Sequence, residues 1–158
     1  MTESDADGIF HLTSENKELI RQLCELFYWD DLDYAKKCFS SCISNLDEGM
    51  DIWTATHMIA DALDFYTFEW NEGYMVLDSL KAWAKRLKLS VDDLNEKSFT
   101  GDLPDALWNV GAFLSRYNIV LWELSSAYTL TFVSISRSED EEVISNIFSK
   151  LNLGECVS

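Results

Sequence analysis

Residues 119–135, IVLWELSSAYTLTFVSI, carry the strongest strand pattern in this chain of 158 residues. The stretch is rich in β-branched and aromatic residues, and from Tyr128 to Ile135 apolar and polar side chains alternate. Such alternation is typical of a strand that has one face on the core. Because the segment Ser125–Ala127 interrupts the pattern, the sequence predicts a β-hairpin with strands at 119–124 and 128–135.

A third strand and six helices are predicted outside the hairpin. The strand is FYTFEW at residues 65–70, where the side chains again alternate. Apolar residues recur at helical spacing, between capping and breaking residues, in six other segments: 14–27, 32–46, 52–63, 74–88, 104–117 and 138–153. This order predicts an α+β fold, with about six helices packed on a small, mostly antiparallel sheet that includes the C-terminal hairpin near 119–135. Residues 1–13, polar and acidic, are expected to form a flexible N-terminus before a single globular domain over residues 14–154.

The composition limits which partners and compartments are expected. The chain is 47% hydrophobic, enough for a sizeable core, and its 28 acidic and 12 basic side chains give a net charge of −16. That charge argues against binding to nucleic acid or an anionic membrane and favours a basic protein partner. No targeting segment and no run of 18 apolar residues is present, so a cytoplasmic location is expected.

The sequence lacks the usual motifs of catalysis and cofactor binding. Its six glycines are scattered, so they form neither a dinucleotide fingerprint nor a phosphate-binding loop. The four cysteines and two histidines do not fall at zinc-ligand spacing, and the cysteines are expected to be reduced thiols in the core. We therefore predict no cofactor, no metal site and no catalytic residues.

The negative charge is concentrated in the first half of the chain. Residues 1–80 hold 17 acidic and 4 basic side chains. Within this half, two stretches place acidic residues beside large aromatic rings, at 29–34 and 68–74. Aromatic anchors surrounded by charges are typical of protein interfaces. The predicted partner-binding residues are Trp29, Asp30, Asp31, Asp33, Tyr34, Glu69, Trp70, Glu72 and Tyr74.

A small, strongly acidic, aromatic-rich chain without a catalytic motif resembles the immunity proteins that protect bacteria from polymorphic toxins, including those of contact-dependent growth inhibition. The resemblance is one of type, carried by size, charge and the absence of motifs, without a shared residue pattern. It implies a stoichiometric inhibitor, not an enzyme, whose acidic face covers a basic toxin domain, often a nuclease.

Two alternatives remain open from the residues alone. The first is a small hydrolase that uses two carboxylates, which requires a concave pocket containing acids of raised pKa. The second is an acidic adaptor or regulatory protein, which differs from the immunity hypothesis only in the identity of its partner.

Overall fold

Six α-helices and a four-stranded sheet form the part of the chain that the computed structural model describes, residues 8–92, 94–99, 101–125, 130–153 and 156–157. The helices are α1 (Ser14–Phe27), α2 (Leu32–Asn45), α3 (Ile52–Ala62), α4 (Val76–Leu87), α5 (Leu103–Ser115) and α6 (Glu141–Leu151). The strands are β1 (Tyr66–Phe68), β2 (Ile119–Ser125), β3 (Thr131–Arg137) and β4 (Cys156–Val157). Short 3₁₀ turns cover Gly73–Met75, Glu96–Phe99 and Ser138–Asp140. The predicted α+β class is confirmed.

The hairpin of β2 and β3 forms the centre of the sheet, whose strand order is β1-β3-β2-β4 with every pair antiparallel. Leu121 lies opposite Ile135, which fixes the register of the hairpin. The hairpin prediction is confirmed, although residues 126–129, including the start of the predicted second strand, lie outside the described residues. β1 is shorter than the predicted 65–70, because the backbone N–H of Glu69 donates to a side chain, the Oε1 of Glu72 at 2.7 Å, and not to a neighbouring strand.

Each face of the sheet is covered by its own hydrophobic cluster. Trp122, Leu124 and Phe132 point to the face on which α1, α2, α3 and α6 pack. Leu121 and Ile135 point to the opposite face, on which α4 and α5 pack. Successive residues of a strand face opposite sides, so the central hairpin contributes to both clusters. The buried indole N–H of Trp122 donates to Ser136 Oγ at 2.8 Å, which satisfies a polar group inside the first cluster.

Three cysteines are buried free thiols in the first cluster, as the sequence predicts: Cys24, Cys38 and Cys42. Burial raises the pKa of Cys38 to about 11. A hydrogen bond with Cys42, together with burial, also raises the pKa of Cys24. Both Cys24 and Cys38 therefore stay protonated at neutral pH and are poor nucleophiles.

The folded domain begins earlier than the sequence predicts. Phe10 is 1% exposed, and its backbone N–H and C=O pair with the backbone of Met50 and Gly49 at 2.9 Å each. Thr13 caps α1. Within the stretch 1–13, which the sequence assigns to a flexible N-terminus, the apolar side chain at position 10 therefore packs in the core. Residues 1–7 and the predicted end of the domain at 154 lie outside the described residues.

Candidate functional site

The first predicted contact segment, residues 29–34, forms the corner between α1 and α2. Arg86 of α4 donates from Nε to Asp30 Oδ2 at 2.9 Å and pairs with Oδ1 of the same carboxylate. It also donates to the carbonyl oxygen of Phe27 at 2.9 Å. The guanidinium lies over the rings of Tyr28 and Trp29, 4.8 and 5.2 Å from their centroids. Arg86 therefore clamps this corner onto α4.

The carboxylate of Asp30 is already paired with Arg86 within the chain. Burial by itself would raise the pKa of Asp30, but the hydrogen bonds and the positive charge of Arg86 outweigh burial and hold that pKa below its usual value. About a quarter of each side chain is exposed, 25% for Asp30 and 23% for Arg86. A carboxylate that already has a cation in this position adds little attraction for a second cation.

Most other residues of the segment also make capping or packing contacts within the chain. Asp31 caps α2, where its Oδ1 accepts from the backbone N–H of Tyr34 at 3.1 Å. The ring of Tyr34 is half-buried and packs edge-on against Tyr28, with ring centroids 4.8 Å apart. Trp29 is half-buried against the second cluster, whereas Asp33 is exposed. The segment thus offers surface carboxylates, but it does not present the two predicted rings as free anchors.

The second predicted contact segment presents its rings to solvent. Trp70 is 72% exposed and Tyr74 is 67% exposed, and both follow β1 in the connection to α4. Glu69 and Glu72 close a tight turn between them: the N–H of Glu72 donates to the carbonyl oxygen of Glu69 at 3.0 Å, while Glu72 Oε1 accepts from Glu69 N–H. This turn holds the two rings and the carboxylate of Glu69 on the surface, whereas Glu72 is half-buried.

The same turn packs against the start of α5. The backbone N–H of Leu103 donates to the carbonyl oxygen of Trp70 at 3.2 Å. A Cβ atom on the buried Gly73 would lie 2.5 Å from the carbonyl oxygen of Gly101, so only glycine permits this close approach. Position 73 therefore fixes residues 69–75 beside the N-terminal end of α5.

α5 adds a third exposed ring at its sixth residue, and its N-terminal end adds two more acids. Trp108 is 79% exposed, the highest value among the exposed large hydrophobic side chains of the described residues. Asp102 caps the helix by accepting from the N–H of Asp105 at 3.1 Å, and both carboxylates are exposed. We call the combined surface the acidic–aromatic face; it consists of Glu69, Trp70, Glu72, Tyr74, Asp102, Asp105 and Trp108.

Four of the nine predicted contact residues lie in this turn, and the acidic–aromatic face as defined here adds three residues, from α5 and its N-cap, that sequence reasoning missed. The exposure of Trp108 could have been predicted from its position in the sequence of α5. The buried stripe of α5 includes Leu107, Val110 and Leu114, and helical geometry turns position 108 about 100° away from position 107. An indole placed off the buried stripe is a candidate for surface contact.

A groove lies between α5 and β2, next to Trp108. It has a cavity volume of about 320 Å³, and most of its lining is apolar. The lining residues are Leu107, Trp108, Gly111, Ala112, Ser115, Ile119, Val120, Leu121 and Glu123. Burial raises the pKa of Glu123, the single carboxylate among them. The two-carboxylate hydrolase considered from the sequence requires a second acid, which the described lining does not provide.

Two further properties of the described residues concern metal binding and membrane spanning. They contain no group of three or more His, Cys, Asp or Glu side chains arranged to hold a metal ion. None of the described helices combines the length and the apolar character needed to cross a bilayer.

No protein-family model, no curated protein and no solved structure matches the chain.

Proposed function

We propose that this chain is a cytoplasmic binding protein of the immunity type, whose acidic–aromatic face covers the basic substrate-binding surface of a cognate toxin domain. The observation that carries the proposal is the exposure of Trp70, Tyr74 and Trp108, each about two-thirds exposed or more, on a turn and a helix that are in contact and that also carry exposed carboxylates. Exposed rings collected on one surface are uncommon unless another molecule covers them.

The rings and the acids contribute different parts of the binding free energy. Large aromatic side chains bury much area with few rotatable bonds, which makes them effective anchors at the centre of an interface. The surrounding carboxylates attract a basic surface over a distance, raise the rate of association and select against acidic partners. A net charge of −16 extends that attraction beyond the face itself.

A nuclease is a suitable target, because its active site must be positively charged to hold phosphate groups. A protein that occupies such a surface blocks access of the substrate without any chemical step. Inhibition is then stoichiometric, and this chain requires neither a cofactor nor catalytic residues.

Site-specific photo-crosslinking in the source cells tests the proposal. A benzophenone amino acid is placed at Trp70 or Trp108 in the face, and at Val143 on α6 as the control position, where the native side chain is also exposed, at 47%. We expect one basic protein to be crosslinked from both face positions and not from position 143. Expression of that protein alone should arrest growth, and co-expression of this chain should restore it.

Two outcomes would contradict the proposal. One is crosslinking of the same protein with equal yield from position 143, which would move the interface to another surface. The other is a captured protein that is acidic, or whose expression is harmless, which would remove the toxin-neutralising role.

A further inference from the structure

The groove between α5 and β2 combines an apolar wall with one carboxylate among its described lining residues. Leu107 of α5 and Ile119 and Leu121 of β2 form part of its lining. Glu123 lies two residues after Leu121, on the same face of the strand, so its side chain extends the apolar row with one negative charge. Among the described residues, no hydrogen bond or ion pair engages the Glu123 carboxylate.

Small residues keep the groove open. Gly111, Ala112 and Ser115 lie on the α5 side of the groove. A Cβ atom on Gly111 would meet no atom within 4 Å, so the space in front of this position is empty. Trp108 lies about one helical turn before Gly111 and Ala112, and its indole is exposed.

Among the described residues, the edge of β2 beside the groove has a strand partner only at Glu123 and Leu124, which pair with β4. Residues 119–122 have no strand partner on that side within the described chain. An open edge of this kind offers backbone donors and acceptors to an extended segment of another chain.

The chemistry of the groove fits one type of side chain. Arginine has an aliphatic stem that packs along apolar surface and a charged planar head that pairs with carboxylates. Its guanidinium also stacks on aromatic rings, and tryptophan is the best ring for this contact. The apolar wall fits the aliphatic stem of an arginine. The carboxylate of Glu123, which has no partner among the described residues, fits the positive charge, and the exposed indole of Trp108 fits the planar guanidinium.

We infer that this groove receives an arginine side chain from an extended segment of the basic partner, with Glu123 pairing the guanidinium and Trp108 stacking on it. A second copy of this chain is a poor occupant, because two molecules that each carry −16 repel one another. The inference rests on the proposed function for the source of the arginine, but the groove itself is tested without the partner.

The test uses two blocked tripeptides, acetyl-Ala-Arg-Ala-amide and its citrulline analogue, which has nearly the same shape but no charge. Binding is followed by the amide shifts of Gly111, Ala112 and Val120 in the ¹⁵N-labelled full chain. We expect the arginine peptide to shift these amides and to bind roughly fivefold to twentyfold more tightly than the citrulline peptide, as a charge-assisted pair does.

Three variants identify the source of the effect. Glu123→Gln should bind both peptides with equal affinity, whereas Glu142→Gln, an exposed position on α6 with the same change in charge, should keep the preference for arginine. Gly111→Leu should abolish binding by filling the groove. It should do so without unfolding the chain, because leucine favours helix more than glycine does.

Equal shifts from the two peptides in the wild-type chain would overturn the inference, as would an arginine preference that survives Glu123→Gln or Gly111→Leu. These peptide results do not depend on crosslinking from the acidic–aromatic face, so failure of one proposal is distinguishable from failure of the other.

Discussion

Replacing Arg86 tests whether Asp30 belongs to the fold or to the interface. Arg86→Met keeps the apolar stem but removes the bidentate pair with Asp30, the hydrogen bond to Phe27 and the contacts with two rings. Hydrogen bonds to charged groups contribute about 1.5–3 kcal/mol in total at such a site, and partly exposed cation–π contacts add about 0.5–1 kcal/mol. We expect the variant to lose about 2–4 kcal/mol of unfolding free energy.

Urea unfolding followed by circular dichroism measures this loss, and for a chain of this length the melting temperature should fall by about 5–12 °C. A double-mutant cycle with Asp30→Asn isolates the pair. The coupling free energy should be about 1–2 kcal/mol, and it should decline with acidification. The sign follows from the lowered pKa of Asp30, because the stabilisation is complete above the usual carboxyl pKa and is lost as the pH falls through the folded-state value.

A coupling free energy below about 0.3 kcal/mol would refute this reasoning, since additive mutations indicate independent sites. Asp30 would then be free to contact a partner, as the sequence predicts.

Three other predictions concern burial and close packing. Trp108→Ala should change unfolding free energy by less than about 0.5 kcal/mol, whereas Trp122→Ala, at a side chain 2% exposed, should reduce it by about 3–5 kcal/mol in the same urea titration. Gly73→Ala should lower the melting temperature by several degrees, because the added Cβ would collide with the carbonyl oxygen of Gly101. An unchanged melting temperature in calorimetry would contradict that close approach. Glu123→Gln should raise the melting temperature at neutral pH and lose this advantage in acid. The reason is that a carboxyl group with a raised pKa destabilises the fold only when it is ionised. An advantage that persists in acid would rule out burial of the charge as the cause.

The periodicity of side chains was sufficient to predict the six helices, the hairpin and the fold class, but it did not predict the two-residue strand β4. The strand pattern at 119–135 locates the hairpin, and capping residues such as Asp51 and Asp102 mark true helix starts. The errors arise where a distant contact decides the outcome. Phe10 is ordered by backbone pairing with Gly49 and Met50, and nothing within residues 1–13 encodes that pairing.

The two predicted contact segments have similar compositions but different environments. Asp30 forms an ion pair with Arg86, which is 56 positions away in the sequence. Local composition therefore could not distinguish Asp30 from an acidic residue without a partner. Glu69 remains on the surface because a local turn satisfies its backbone N–H and C=O, and the carbonyl oxygen of Trp70 accepts from the N–H of Leu103. Gly73 lets this turn approach the start of α5, the helix that carries Trp108.

Association kinetics with the crosslinked partner test the central claim most directly. The wild-type chain is compared with Glu69→Gln/Glu72→Gln, and with Asp47→Asn/Glu142→Gln as a control that removes the same charge from exposed positions outside the face. We predict that the association rate falls as salt rises, that the face variant associates severalfold more slowly with a weaker salt dependence, and that the control stays close to wild type. Equal slowing of the face and control variants would contradict an acidic–aromatic face directed at a basic partner.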